Sequence, residues 1–531
     1  MVGKYRIVPT EAARRAVGAM DFRRLLNQVC CPTFGRIGEA RLEEFGAMFF
    51  HPTERDALEA AISKFRSRCE VPPFIVSDLE CGPGNMILGA TKFPYMMGLS
   101  QTNSPESAYE AGRIAAVEAG ALGYNWTFSP VADLAVDPDS PVVGMRSAGS
   151  DPEQVVKMAG AYMDGLQRHG MMATIKHFPG DGYTSWDQHL TTPSLPLGRA
   201  AWREGPGRVF RELIERGAMA VMPGHIALPA FDEPDANGLY PPATVSKRLL
   251  VDLLRGELGF EGLVVTDAME MGGIVGYMNY YDACAAALEN GCDMLLFPRM
   301  DDRFYAEMER RVEAGALRLE TMRERAARIV ALKGQMGLFD AAPSAPHPER
   351  IDPDAHAAVA RRVVEESITV VRDRNGLVPF AAGLETKVLH AVVMNNHDRY
   401  GDLLARMKRE LEKCAGVVDQ WVDPGPDALF GAAAERRYDL IVCSIGSRLS
   451  YGLNVVRLHD EVARNMMGGW TKFDTPVVFV SHFHPFVHKE YEASIETMIN
   501  TYGDLECTAE LLVQGIFGRR PLRRTLHAHD E

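Results

Sequence analysis

A closed (β/α) barrel followed by a smaller α/β domain is the fold class the sequence predicts, and three observations predict it. Apolar, β-branched runs alternate with amphipathic helical stretches across the first 340 residues, the pattern of a parallel sheet. Polar residues stand where those runs end: Asp78, Asp133, Lys176 with His177, His225 and Asp267. A closed barrel gathers the carboxyl ends of all its strands around one mouth, so residues distant in sequence converge there. An open, doubly wound sheet is the competing arrangement and spreads them along a crevice. Third, the alternation lapses around residues 336–356, where Gly337, Pro343, Pro346, Pro348 and Pro353 resist both helix and strand.

Taken in order, the expected strands of the first domain are Pro73 to Ser77, Trp126 to Ala132, Met172 to Ile175, Ala218 to Met222, Leu263 to Thr266 and Met294 to Phe297. Helices are expected at Ser107 to Leu122, Gln154 to His169, Ala200 to Arg216 and Ser246 to Leu258, each with apolar residues near a 3.6-residue spacing. The boundaries read as 1–340 for the barrel, 341–356 for a Pro-rich linker and 357–531 for the second domain. In that second domain Ala358 to Val371 reads as a helix running into a strand, with further buried strands at Val388 to Met394, Leu440 to Ser444 and Val477 to Ser481.

The 531 residues exceed what one hydrophobic core organises, which fits two domains. A formal charge of −14 with no long basic run argues against a nucleic-acid partner held through phosphates. The first ten residues carry two cations but no apolar core of a signal segment, and no run of eighteen apolar residues follows, so a cytoplasmic protein without a membrane span is expected. Nine cysteines, scattered through apolar surroundings, read as mostly buried thiols rather than metal ligands.

Chemistry concentrates in Lys176-His177-Phe178-Pro179-Gly180-Asp181-Gly182 and the following Asp187-Gln188-His189. A cation, imidazoles, carboxylates and glycines leave a buried strand here, where a rigid scaffold carries reactive groups. Asp267 ends the apolar run Gly262 to Thr266, which places a carboxylate at the sheet rim and suits a nucleophile. Asp187 and His189, two apart on an extended loop, can meet so that the carboxylate fixes the imidazole tautomer. Asp78, Arg146, Lys176 and His177 suit charge-assisted hydrogen bonds to sugar hydroxyls. Trp186, Tyr183 and Phe178 are aromatic candidates for stacking on a sugar face, with loop packing as their alternative.

These segments resemble glycoside hydrolase family 3, and within it the β-N-acetylglucosaminidase branch. The signature K-H-F-P-G-x-G followed by D-x-H spans Lys176 to His189, and Val71 to Gly84, the R-S-x-G-x-D-P segment at Arg146 and Val264 to Met271 resemble further family segments. Glu366 to Val371, continuing to Pro379, resembles the opening of the family's second domain. The resemblance implies an eightfold (TIM-like) barrel followed by an α/β/α sandwich. It also implies Asp267 as nucleophile, Asp187 and His189 as the acid/base dyad, and Asp78, Arg146, Lys176 and His177 as sugar-binding groups. The implied reaction is removal of terminal β-linked N-acetylglucosamine from a small or oligosaccharide substrate by double displacement with retention, with neither metal nor organic cofactor. Two positions depart from the family pattern: Asp181 stands where His is usual, and Cys81-Gly82 where a G-G pair is usual. Asp181 is expected to add negative charge near the dyad, which would raise the pKa of His189 or oppose an anionic aglycone.

Four other readings stay open at this point. The same fold transfers sugar to phosphate in enzymes resembling this branch, and β-glucosidases share it. A metal-dependent hydrolase would use His177, His189, His225 and Asp267, and a sugar-binding protein would use the same pocket without turnover. The leaving group and the oligomeric state are not legible.

Overall fold

Continuous apolar runs become parallel strands, and the first of them are shorter than the sequence suggests. In the computed structural model the strands that carry the site are β1 (Cys30–Cys31), β2 (Ala47–Phe49), β3 (Phe74–Ser77), β4 (Trp126–Thr127), β5 (Thr174–Phe178), β6 (Ala220–Pro223), β7 (Leu263–Ala268) and β8 (Met294–Leu296). The structure describes residues 3–37, 43–340, 351–447, 452 and 456–526. The chain divides into two units: Met1–Lys92, Ala108–Asp137 and Ser150–His356 form the first, while Phe93–Ser107, Pro138–Gly149 and Ala357–Glu531 form the second. Residues 341–350 of the expected linker lie outside the described residues.

In the first unit a five-stranded parallel sheet runs β1-β8-β7-β6-β5 and a three-stranded parallel sheet runs β2-β3-β4. Parallel bridges join their edges, Thr33 to Phe49 on one side and Trp126 to Met172 on the other. β3, β5, β6 and β8 are buried at every residue, so both faces are covered, which is why they read as unbroken apolar runs. β1 and β2 escaped the sequence reading because two or three residues carry no periodicity. The run Trp126 to Ala132 is a continuous strand only over Trp126–Thr127; beyond it the pairing is piecemeal, with a single bridge from Val131 to Lys176, and Pro130 has no N–H to give.

Helices Pro105–Ala121 and Pro152–Arg168 cross closely. A Cβ at Gly112 would lie 2.2 Å from the Tyr162 carbonyl oxygen, and one at Gly165 would lie 2.1 Å from that of Tyr109. The contact accounts for two glycines where an exposed helix interior would favour alanine by about 1 kcal/mol each. The stretch expected as one helix over Ala200 to Arg216 is two, Arg199–Glu204 and Pro206–Glu215. Pro206 breaks it: proline lacks the N–H and disfavours helical backbone at the residue before it, here Gly205. At the start of β8, Asp293 is fully buried and ion-paired with Arg255 (2.9 Å) and Arg328 (2.9 Å), while its Oδ2 accepts from Val264 N–H. Burial presses its carboxyl upward, yet the arginines hold it below the ordinary range.

The second unit carries a mixed sheet in the order β11-β10-β12-β13-β14-β9-β15, from β9 (Thr369–Asp373), β10 (Lys387–Asn395), β11 (Val417–Val422), β12 (Leu440–Ser447), β13 (Val477–Ser481), β14 (Thr497–Asn500) and β15 (Arg523–Arg524). All neighbours are parallel except β9 and β14. β12 is buried throughout, so both faces of this sheet are covered near its centre. Among the described residues no helix is long and apolar enough to cross a membrane. All nine cysteines are free thiols, six of them buried and three half-buried.

Candidate active site

The site is assembled from the carboxyl ends of β3, β5 and β7 and the loops that follow β4 and β5. β5 ends on Lys176, His177 and Phe178, all buried. An unpaired ammonium in that position would be costly, and Lys176 is not unpaired: its Nζ lies 2.8 Å from Asp78 Oδ1 and 2.7 Å from Glu80 Oε1. Both carboxylates follow β3. The Asp78 side chain remains 37% exposed, which leaves it an open face for a ligand.

His177 is clamped from the opposite side. Asp133, wholly buried, accepts from the His177 backbone N–H through Oδ1 (2.9 Å) and meets the ring Nδ1 through Oδ2 (2.7 Å). Oδ1 also accepts from the Asp181 N–H at 2.8 Å. The other ring nitrogen, Nε2, faces Asp267 Oδ2 at 4.0 Å. Phe178, one residue on, packs edge-on against Trp202 and Phe210 in the core, so it serves packing rather than sugar stacking. Trp186 is 58% exposed and remains available to a ligand.

The loop after β5 turns on Gly180 and Gly182, both at positive φ, where a side chain would be strained. Asp181 between them is buried; its oxygens accept from the Gly182 N–H and from Gln188 Nε2. Its charge is therefore engaged inside the loop rather than presented to an incoming aglycone. Gln188, also buried, accepts from the His225 backbone N–H through its Oε1 at 2.9 Å.

Asp187 and His189 meet as their spacing predicts: Nδ1 lies 2.6 Å from Asp187 Oδ1, and the same oxygen accepts the His189 N–H at 2.7 Å. The carboxylate is fully buried while the imidazole is 26% exposed. This loop is tied directly to the segment following β7. Gly272 N–H donates to the His189 carbonyl (2.7 Å) and Gly273 N–H to that of Gln188 (3.0 Å). The approach is close enough that a Cβ on either glycine would lie within 2.5 Å of a loop carbonyl.

Asp267 stands at the end of β7, its side chain 13% exposed and its Oδ1 accepting the Ala268 N–H at 2.8 Å. Burial pushes its carboxyl upward, but the fields of His177, His225 and His189, with that N–H, override it and hold the pKa below the usual value. It is thus ionised at neutral pH. Burial lowers the pKa of His225 against the pull of Asp267. Its ring nitrogens are both engaged, Nδ1 with Thr244 Oγ1 (2.8 Å) and Nε2 with the Ala268 carbonyl (2.9 Å), so neither is offered to a cation.

Of the sequence candidates, the first unit holds Asp78, Lys176, His177, Asp187, His189 and Asp267. Arg146 falls within the second unit, in a short turn, Gly144–Arg146, with its guanidinium donating to the Val142 carbonyl. Asp133, Glu80 and Gln188 complete the geometry and were not singled out as site residues. Glu80 carried a signal, since residues two apart on an extended segment face the same side as Asp78 does. Asp133 carried only its place at a strand end, and Gln188 none beyond its neighbours.

A buried carboxylate at a strand rim, a hydrogen-bonded Asp-His pair beside it and a paired lysine define a site for polar, charge-assisted chemistry on a small ligand. Residues 44–332 match the model of the glycosyl hydrolase family 3 N-terminal domain. Over 502 residues the chain is 32% identical to a β-N-acetylglucosaminidase/β-glucosidase of Cellulomonas fimi, covering 90% of this chain and 86% of that protein. It is 35% identical over 250 residues to a β-hexosaminidase of Tolumonas auensis, covering 46% of this chain and 71% of the relative. Among solved structures it resembles the β-glucoside phosphorylase BglX bound to 2FGlc, with a TM-score of 0.88, 27% identity and coverage of 97% of this chain and 96% of the other. A family 3 β-N-acetylglucosaminidase from Paenibacillus sp. str. FPU-7 shares the fold, with a TM-score of 0.81, 24% identity and coverage of 96% and 98%. The chain belongs to glycosyl hydrolase family 3.

Proposed function

We propose that this protein is a retaining, exo-acting β-N-acetylglucosaminidase that releases terminal β-linked N-acetylglucosamine from small or oligosaccharide substrates. The observation that carries this reading is the pinning of the Asp187-His189 pair onto the segment that follows Asp267. In the proposed reaction Asp267 attacks the anomeric carbon while His189 protonates the departing oxygen through Nε2. The glycosyl ester is then opened by water that His189 deprotonates, with Asp187 holding the imidazole so that Nε2 is the working atom. Asp78, Lys176 and His177 are assigned to the sugar hydroxyls. The proposed machinery consists of side chains only.

We read the strands of the first unit as an eightfold (β/α) barrel, supported by the parallel bridges at both sheet edges, and residues 357–531 as an α/β/α sandwich. The domain limits proposed are 1–340 and 357–531, joined by a linker over 341–356, although its last four residues, from Pro353, form the first turn of the helix Pro353–Ser367 rather than resisting helix as expected. The names of the Cellulomonas fimi and Tolumonas auensis relatives support the choice of amino sugar.

A second reading, phosphorolysis, is favoured by the likeness to BglX at 27% identity over nearly the full length. An imidazole, unlike a carboxylate, does not repel an entering phosphate. One experiment tests both: incubate 4-nitrophenyl β-N-acetylglucosaminide in phosphate and in phosphate-free buffer, and follow the released sugar by proton NMR. Hydrolysis predicts β-configured N-acetylglucosamine as the first product in either buffer. Exclusive formation of the 1-phosphate would replace hydrolysis by phosphorolysis, and a first-formed α-anomer would overturn retention.

A further inference from the structure

Asp133 is a fully engaged carboxylate near the mouth of the first unit. It has no exposed surface, follows β4, and makes three hydrogen bonds: to the His177 N–H, to His177 Nδ1 and to the Asp181 N–H. A carboxylate only accepts hydrogen bonds, so the contact at Nδ1 places a proton on that nitrogen in both charge states of the ring. The consequence falls on Nε2. It is the atom turned toward Asp267, and at 4.0 Å it is too far for a direct hydrogen bond, so it stays free to meet a substrate oxygen.

We propose that Asp133 is a positioning residue for the glycosyl transfer: by anchoring Nδ1–H of His177 it presents Nε2 to the substrate beside Asp267. This rests on the function proposed above and deepens it. Asp133 touches no reacting atom; it acts through His177, while its bonds to two backbone N–H groups fix the start of the loop that carries Asp187 and His189. The groups around the pair bear on its charge. His189 with Asp187 stands on the loop after β5, His225 follows β6, and Lys176 with Asp78 and Glu80 lies beside His177 on β5 and after β3.

Asp133→Asn separates the two roles. Its carbonyl oxygen keeps both backbone hydrogen bonds, but its NH2 now points at Nδ1 and forces the proton to Nε2, which disfavours the imidazolium. The variant is expected to lose on the order of 10²-fold in kcat, with KM changed less than about threefold. With less positive charge beside Asp267, the acid limb of kcat/KM should move to higher pH. In a His177→Gln background the same substitution should cost little, because the residue through which it acts is gone. An equal loss in both backgrounds would mean that Asp133 serves the loop alone, and the proposal would fall.

The wild-type protein supplies a test that needs no variant of Asp133. Histidine 15N–1H correlation spectra at neutral pH, with the His177 signal identified by its disappearance in His177→Gln, should show Nδ1 protonated. A lone Nε2–H tautomer would overturn the proposal. Turnover of the aryl N-acetylglucosaminide by the wild type is scored separately, so that failure of the activity and failure of the positioning role are told apart.

Discussion

Of the three imidazoles in the field of Asp267, two are bound through Nδ1 to a buried carboxylate at nearly equal distance, 2.6 Å in Asp187-His189 and 2.7 Å in Asp133-His177. What differs is the anchorage. Asp187 and His189 are two residues apart on one loop, and the ring is a quarter exposed. Asp133 lies on the segment after β4 and His177 within β5, and the ring is 5% exposed. The same pair of side chains thus takes two forms. On one loop it leaves its imidazole partly open to solvent; across two segments it buries the ring almost completely.

The sharpest way to break this comparison is to remove the group both pairs flank. Asp267→Ala should lower kcat by at least about 10⁴-fold with aryl substrates, as expected for loss of a nucleophile. Azide should restore turnover by attacking directly, giving the α-glycosyl azide. Residual activity above one part in a hundred would move the nucleophile elsewhere. A smaller loss follows at the Asp187-His189 pair. His189→Ala should cost roughly 10²- to 10⁴-fold with a poor leaving group and far less with dinitrophenolate, which needs no proton. Here azide should give the β-glycosyl azide from the trapped ester. If the rate falls equally for both leaving groups, His189 is not the acid.

Much of this site was legible in the sequence because catalytic spacing is local. The two-residue step from Asp187 to His189 already specifies that their side chains can meet, and strand-end positions marked Asp78, Lys176, His177 and Asp267. What stayed hidden was long-range. Asp133 becomes a site residue only when segments far apart in sequence lie side by side, Glu80 had just its two-residue step from Asp78 to mark it, and Gln188 works through the backbone of His225, which no local pattern encodes. The fold followed the same division. Fully buried strands announced themselves, whereas β1 and β2 were too short to show a period, and Pro206 divided a helix that its apolar spacing had made look continuous.

The second unit supplies buried histidines without carboxylate partners, and it predicts the smallest effect. His390 accepts from Gln420 Nε2 at Nδ1, so its Nε2–H donates to Ser444 Oγ, whose own proton goes to His482 Nε2. Burial lowers the pKa to about 3 for His390 and to about 4 for His482, with nothing but neutral groups in that chain of hydrogen bonds. The folded state therefore refuses protons that the unfolded chain takes up near its ordinary value of about 6.5. Their contribution to stability is fully present above that pH and is lost as pH falls from there through the folded values. Shifts of this size are worth on the order of 3 to 5 kcal/mol per histidine, and less for two that share a serine. Melting followed by tryptophan fluorescence should show the decline between about pH 6.5 and 4, and His390→Gln should flatten part of it. A wild-type melting temperature constant over that range would mean that His390 and His482 are protonated in the folded sheet, and that a neutral partner suffices where the first unit uses a carboxylate.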